Sequence, residues 1–151
     1  MSLNEEVDLL RRIPLFAKIE PSKLKLLAFT SRRLTYKPGD VLCRQGDPGD
    51  AAFVIINGEA DVSVDTPGGP FKVAHLKQND FVGEIAILCD VPRTATVTAA
   101  TEVTVLRIEK DLFFRLIADF PQIAVEIMRV LAQRLERTTA DLRALSAQGR
   151  A

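Results

Sequence analysis

The chain has no tryptophan, one tyrosine, one histidine and two cysteines among its 151 residues. A single imidazole, His75, argues against the multi-histidine metal centres that β-barrel metalloenzymes assemble; no metal or cofactor is expected. His75 sits at the end of a predicted strand and reads as structural or solvated. Cys43 and Cys89 are far apart and match no paired-cysteine spacing. Both read as free thiols of a reducing compartment, so the expected location is cytoplasmic. An excess of charge of either sign is missing too: 20 Lys and Arg balance 20 Asp and Glu. That argues against a broadly basic, nucleic-acid-binding surface. No apolar run reaches the roughly 18 residues of a membrane span, and the first residues lack the basic-then-apolar pattern of a signal peptide. Nucleophile elbow, Walker loop and metal-protease motifs are absent, so no feature argues for an enzyme.

What the chain does have is 47% hydrophobic residues, enough for one domain with a substantial core and no covalent staples. Its punctuation divides it in three. Residues 1–31 read as helices. Val7, Leu9, Leu10 and Ile13 form an apolar face capped by Ser2 or Asn4, Pro14 interrupts, and Pro21 opens a second segment with Leu24, Leu27 and Ala28 inward. Residues 32–109 carry turn signals every few residues: Pro38-Gly39-Asp40, the Gly46–Asp50 stretch, Asn57-Gly58, Pro67-Gly68-Gly69-Pro70 and Gln78-Asn79-Asp80. Between them lie short β-prone runs at 51–56, 59–64, 71–76, 94–99 and 103–108. Such spacing predicts an antiparallel β-roll or jelly-roll barrel, mainly β with flanking α. Asn57-Gly58 is expected to close a two-residue hairpin with positive φ at both positions.

Residues 110–148 return to helix. Asp111 is expected to cap a short helix reaching Leu116, and Pro121 to open a longer one ending near residue 146. On that helix Met128, Leu131, Leu135, Thr138, Leu142 and Leu145 recur at spacings of three and four. The stripe is either a dimer seam of just under three heptads or a face packed on the chain's own barrel.

The segment from Phe81 to Leu88, followed by Pro92-Arg93-Thr94-Ala95-Thr96-Val97, places one glycine, one acid and one arginine among apolar residues. A buried guanidinium is costly unless something anionic meets it. Gly83 permits a close backbone approach, and the amides of Glu84, Ile85 and Ala86 are expected at a short helix start that favours anions. Arg93 can engage two phosphate oxygens at once. Thr94 adds a hydroxyl, and Ala95 leaves its amide accessible. Glu84 makes sense beside a phosphate if it accepts a hydrogen bond from a ligand hydroxyl such as a ribose 2′-hydroxyl. The other reading of the same residues is a surface Glu84–Arg93 ion pair over a turn.

The stretch Phe81–Val97 resembles the phosphate-binding cassette of the cyclic nucleotide-binding domain family: aromatic, Gly, Glu, apolar residues, then Pro-Arg, a small residue, Ala and Thr. The resemblance spans nearly the whole chain, from leading helices through the β-roll to closing helices. It implies that Glu84 binds the ribose 2′-hydroxyl and that Arg93 pairs with the cyclic phosphate. Backbone groups around Val82, Gly83, Ile85, Ala86, Thr94 and Ala95 would complete the site. The run Ala132–Thr139 is similar to the dimer helix of bacterial catabolite-activator-like regulators. It implies that Thr138 and Thr139 contact the adenine, one from each subunit, and that Arg134 braces Glu84. For Thr138 the alternative is a hydroxyl bonded to its own helix.

The implied ligand is cAMP first and cGMP second. The implied module is a sensor whose C-terminal helix moves on binding, within a possible homodimer whose downstream effector is unspecified. The resemblance to regulators with a helix-turn-helix domain stops at Ala151, so DNA binding by this chain is not expected. The competing function is a dimerisation or protein-interaction module with a pocket for another effector or none. Asp47, Asp50, Asp61 and Asp65 read as turn and solvent-face acids, and Arg11-Arg12 and Arg32-Arg33 as solvated pairs. Phe113, Phe114 and Phe120 are expected to anchor the closing helices.

Overall fold

A computed structural model describes residues 3–149, which divide into two compact units, one ending at Arg115 and the other beginning at Leu116. The first opens with α1 (Leu3–Arg11), a short 3-10 turn at Pro14–Phe16 and α2 (Pro21–Thr30). Val7, Leu10, Ile13, Phe16, Ile19, Leu24 and Leu27 are buried. Pro14 and Pro21 each fall in the first turn of the element they open, where a missing amide costs nothing. Asn4 lies inside α1 rather than capping it, because the helix begins one residue earlier, and Ser2 is outside the described residues.

Eight strands follow: β1 (Arg32–Tyr36), β2 (Val41–Cys43), β3 (Ala51–Asn57), β4 (Ala60–Thr66), β5 (Gly69–Leu76), β6 (Phe81–Val82), β7 (Thr96–Ala99) and β8 (Val103–Glu109). They form two antiparallel sheets, ordered β1-β8-β3-β6 and β2-β7-β4-β5. The inner faces share one core of Leu42, Phe53, Ile55, Ala60, Leu76, Val97, Ala99, Val103 and Val105. This is the expected β-roll, and the alternation along β8 shows why it closes: Val103 and Val105 point inward while Thr104 stays half-exposed.

Asn57-Gly58 does not close a hairpin. β3 and β4 lie in different sheets, and of the two residues only Gly58 has a positive φ (+93°). Asn57 is still paired with Thr104 of β8, whereas the Glu59 carbonyl accepts the Ala100 amide at 2.9 Å, just beyond β7. The turn therefore hands the chain from one sheet to the other. A Cβ at Gly58 would collide with the Glu102 carbonyl oxygen. The tight hairpin forms one turn later, between β4 and β5, where Thr66 faces Gly69 and its hydroxyl donates to the Gly69 carbonyl at 2.6 Å.

α3 (Glu84–Leu88) interrupts the strands between β6 and β7. α4 (Lys110–Asp119) starts directly after β8, so Asp111 lies within its first turn rather than capping it. The buried Phe113 ring meets Phe114 edge-on at 6.2 Å between centroids. In the second unit α5 (Pro121–Gly149) is one continuous helix. Ile123 and Ile127 are buried, while Met128, Leu135, Leu142 and Leu145 are exposed. Among the described residues no helix is long and apolar enough to cross a membrane.

Candidate functional site

The site begins where β6 ends. Gly83 takes a left-handed backbone (φ +92°) and turns the chain into α3. A side chain there would strain the backbone and set a Cβ 2.5 Å from Arg93 Nη1 and 3.0 Å from the Ala51 carbonyl oxygen. Glu84, the first residue of α3, is only 1% exposed, and Ala86 and Ile87 are buried beside it. The carboxylate oxygen Oε2 of Glu84 is buried and accepts no hydrogen bond among the described residues, although the side chain is not isolated. After α3 the chain reverses at Asp90 (φ +52°) and delivers Arg93 back toward Gly83.

The turn at residues 46–50 holds Arg93 by its backbone. Its amide donates to the Asp47 carbonyl and its carbonyl accepts the Gly46 amide, both at 2.8 Å. The same turn presses on α3, since a Cβ at Gly49 would collide with that of Ala86. Arg93 is 5% exposed. Nη2 donates to the Ala51 carbonyl at 2.6 Å and Nη1 to the Gly83 carbonyl at 3.1 Å. The guanidinium lies 5.7 Å from the Phe53 ring centroid and Nη2 lies 3.6 Å from Asp50 Oδ1. Asp50 in turn accepts a hydrogen bond from Arg107 Nη2 at 3.1 Å through Oδ2, and Arg107 Nη1 reaches Glu109 Oε1 at 3.4 Å.

This arrangement has a chemical consequence. A guanidinium carries five N–H donors. Arg93 spends two of its donors on main-chain carbonyls, and the carboxylate nearest to it among the described residues, Asp50, is 70% exposed. Carbonyl dipoles and an aromatic face orient the cation without neutralising it. A buried charge held this way keeps a strong preference for an anion with two oxygens to offer.

Of the residues expected at the site, Gly83 and Arg93 are in contact and Glu84, next to Gly83, is buried, with Ala86 buried, Val82 and Ala95 half-buried, and Ile85 and Thr94 exposed. Glu84 and Arg93 are buried rather than forming a surface ion pair; no other polar or charged side chains are buried among the described residues. Arg134, Thr138 and Thr139 lie in the second unit, on α5. The two threonine hydroxyls donate to the carbonyls of Arg134 and Leu135, each at 2.9 Å, so both are engaged by their own helix.

Sequence reasoning missed Asp50, Phe53, the Ala51 carbonyl and Arg107. Asp50 was expected to face solvent as a turn acid; it does so, and also bridges two guanidinium groups. The Gly46–Asp50 turn was visible as punctuation, but nothing local ties it to a residue more than forty positions on.

Elsewhere on the β-roll, His75 pairs with two acids. Nδ1 lies 2.7 Å from Asp61 Oδ1 and Nε2 lies 2.9 Å from Glu59 Oε1. The hydrogen bonds to Glu59 and Asp61 raise the imidazole pKa, and the His75 hydrogen bond, joined by Lys72, lowers that of Asp61. Cys43 and Cys89 are free thiols. Burial raises the Cys43 pKa, partly offset by the Arg93 charge.

The chain is similar to known proteins in sequence and in fold. The family profile described as the cyclic nucleotide-binding domain matches residues 33–120. The chain is 32% identical over 136 residues to the CRP-like cAMP-activated global transcriptional regulator of Mycobacterium tuberculosis, covering 89% of this chain and 61% of that protein. The solved cAMP-binding acyltransferase from Mycobacterium smegmatis is 34% identical, with a TM-score of 0.77 over 89% of this chain and 42% of the other. The Thermus thermophilus catabolite activator protein gives 27% identity and a TM-score of 0.76 over 88% and 63%. This chain thus spans less than two thirds of each of these proteins. With a profile match over residues 33–120, more than half of the sequence and including Gly83 and Arg93, the chain belongs to the cyclic nucleotide-binding domain family.

Proposed function

We propose that this chain is a regulatory sensor module that binds a 3′,5′-cyclic nucleotide, cAMP in the first place and cGMP in the second. One observation carries the reading: a buried arginine oriented by two carbonyls and an aromatic ring, with donors left over, beside a buried glutamate. Arg93 meets the cyclic phosphate and Glu84 the ribose 2′-hydroxyl, with the backbone of Val82, Gly83, Ile85, Ala86, Thr94 and Ala95 around them. A cyclic monophosphate suits the pocket because it offers one negative charge and a free hydroxyl within one rigid ring system.

In this reading residues 1–151 act as one module without catalytic residues, and ligand binding biases the arrangement of α5, which carries the signal. A ligand moves such an equilibrium only by its differential affinity for the two arrangements. Arg134, Thr138 and Thr139 join the site through that helix. To meet a base, each threonine hydroxyl gives up or shares the bond to its own backbone. The acyltransferase likeness shows this kind of domain inside an enzyme, so the sensor reading concerns this module and not the output it controls.

A second reading rests on α5. Met128, Leu135, Leu142 and Leu145 are each at least 60% exposed at heptad-like spacing, which suits a homodimer seam with or without a ligand.

Calorimetric titration tests the first reading on protein shown by mass spectrometry to carry no copurified nucleotide. Micromolar or tighter binding of cAMP or cGMP is expected, together with a loss of about a hundredfold or more in Arg93→Ala, the scale of a lost charged bidentate contact. Absence of heat and of competition at millimolar nucleotide would overturn it.

A further inference from the structure

The register of β8 puts an unexpected side chain at the mouth of the site. Residues directly opposite across paired strands share a face. Val105 faces Ile55, Arg107 faces Phe53 and Glu109 faces Ala51. Val105, Ile55 and Phe53 belong to the inner core, so Arg107 continues that inner face to the end of the barrel where Arg93 lies over Phe53. Arg32 of β1 stands opposite Arg107 on the other side.

Two guanidinium groups therefore compete for one carboxylate. Arg107 takes the hydrogen bond to Asp50, at 3.1 Å, and leaves Arg93 an ion-pair distance of 3.6 Å to the other oxygen. This competition has a direct effect on the anion site. A carboxylate seated fully on Arg93 would occupy the donors that an incoming phosphate needs and would repel its charge.

We propose that Arg107 is a positioning residue that sets the anion affinity of Arg93 by drawing Asp50 away from it. Arg107 need not touch the ligand. Its anchoring contact to Glu109, at 3.4 Å, keeps its own guanidinium at the barrel end. The proposal rests on the cyclic nucleotide reading for its ligand, but not for its effect on Arg93 itself.

A double-mutant cycle with cAMP as probe separates this role from simple charge attraction. In the otherwise unchanged protein, Arg107→Gln is expected to weaken binding about fivefold, as Asp50 closes on Arg93. In an Asp50→Asn background the same change is expected to move Kd by less than about twofold, because no carboxylate remains to be released. Arg107→Lys, which keeps a cation for Asp50, is expected to restore most of the affinity. Equal weakening with and without Asp50 would mean that Arg107 acts only through its field on the ligand, and would overturn the proposal. So would unchanged binding in Arg107→Gln. If Gln at 107 prevents folding, Arg107→Met keeps the aliphatic stem and enters the same cycle.

A second measurement needs no ligand. The Nε–Hε NMR signal of Arg93 in the free protein is expected to shift in Arg107→Gln and to stay in place when the same change is made on Asp50→Asn. If no variant and no parent protein binds cAMP yet this signal behaves as described, the nucleotide reading fails while the Arg107–Asp50–Arg93 relationship stands. An Arg93 signal indifferent to residue 107 overturns the relationship itself.

Discussion

Gly83 and Arg93 are ten residues apart in the chain and in direct contact in the fold. The Gly83 carbonyl accepts a hydrogen bond from Arg93 Nη1 at 3.1 Å, and a Cβ on Gly83 would lie 2.5 Å from that same nitrogen. One residue thus supplies both the left-handed turn into α3 and the space in which the guanidinium sits. Gly83→Ala is expected to cost about 1–2 kcal/mol of stability from the positive φ alone. Displacement of Arg93 should also weaken cyclic nucleotide binding by more than tenfold. Urea unfolding and calorimetry on the same preparation check both, and a variant that loses stability but binds normally would show that Arg93 finds its place without the glycine.

Glu84 provides a test of sugar recognition separate from phosphate recognition. Glu84→Gln keeps the shape of a side chain that is 1% exposed but replaces an acceptor-only group with one that also donates. Binding of cAMP is expected to fall about tenfold or more, in the range of a lost charge-assisted hydrogen bond. The 2′-deoxy analogue should lose little further affinity in the variant, whereas it should bind much more weakly than cAMP to the parent protein. A full additional loss for the deoxy analogue in Glu84→Gln would place the 2′-hydroxyl elsewhere.

The His75 cluster predicts a pH dependence of stability. Its imidazole is charged in the folded state to a higher pH than its ordinary value of 6.5, because Glu59 and Asp61 bond to it. That contribution is fully present below pH 6.5 and fades as the pH rises through the raised folded value. Asp61 is lowered below its ordinary 3.8 by His75 and Lys72. Its contribution is present above pH 3.8 and is lost as the pH falls further. The difference in melting temperature between the parent protein and His75→Gln is therefore expected to be largest between about pH 4 and 6.5 and to vanish by strongly alkaline pH. A difference that does not change with pH would reduce His75 to a packing role.

The two thiols are expected to differ in reactivity. Cys89 is exposed, while Cys43 is half-buried against the barrel core with its pKa raised by burial. The thiolate is the reactive form. Iodoacetamide at pH 8 should modify Cys89 first, and Cys43 at a matching rate only in denaturant. Mass spectrometry of peptides over time reads this directly, and early labelling at Cys43 would contradict the packing of β2.

Self-association through α5 is expected from its exposed stripe. Leu135 is 68% exposed and Leu142 61% exposed, seven residues apart. Light scattering should show a dimer that becomes a monomer in the Leu135→Glu, Leu142→Glu double variant. A parent protein that stays monomeric at millimolar concentration would dispose of the seam.

Much of this protein could be read from the order of its residues. Pro21 opens its helix where expected, the β-prone runs at 51–56 and 103–108 fall on β3 and β8, and Gly83 and Arg93, singled out in one segment, come into direct contact. These are local signals: a run of β-prone residues, a residue that tolerates positive φ, a charge type too costly to bury without purpose. Caps were less legible. Asn4 and Asp111 fell inside their helices because a helix end is set by which residue first finds a hydrogen-bond partner, and neighbours differing by one position compete closely.

Tertiary structure alone decided where Asn57-Gly58 leads and whom Asp50 meets. The turn dipeptide carries a backbone preference but no information about which sheet receives the next strand; that choice follows from Glu59 meeting Ala100 near the end of β7. Likewise, Asp50 is a turn acid in sequence and becomes a bridge only when β3 and β8 pair and set Arg107 opposite Phe53. Local preference is additive along the chain. The partners of a charge depend on strand register, and register is a property of the whole barrel.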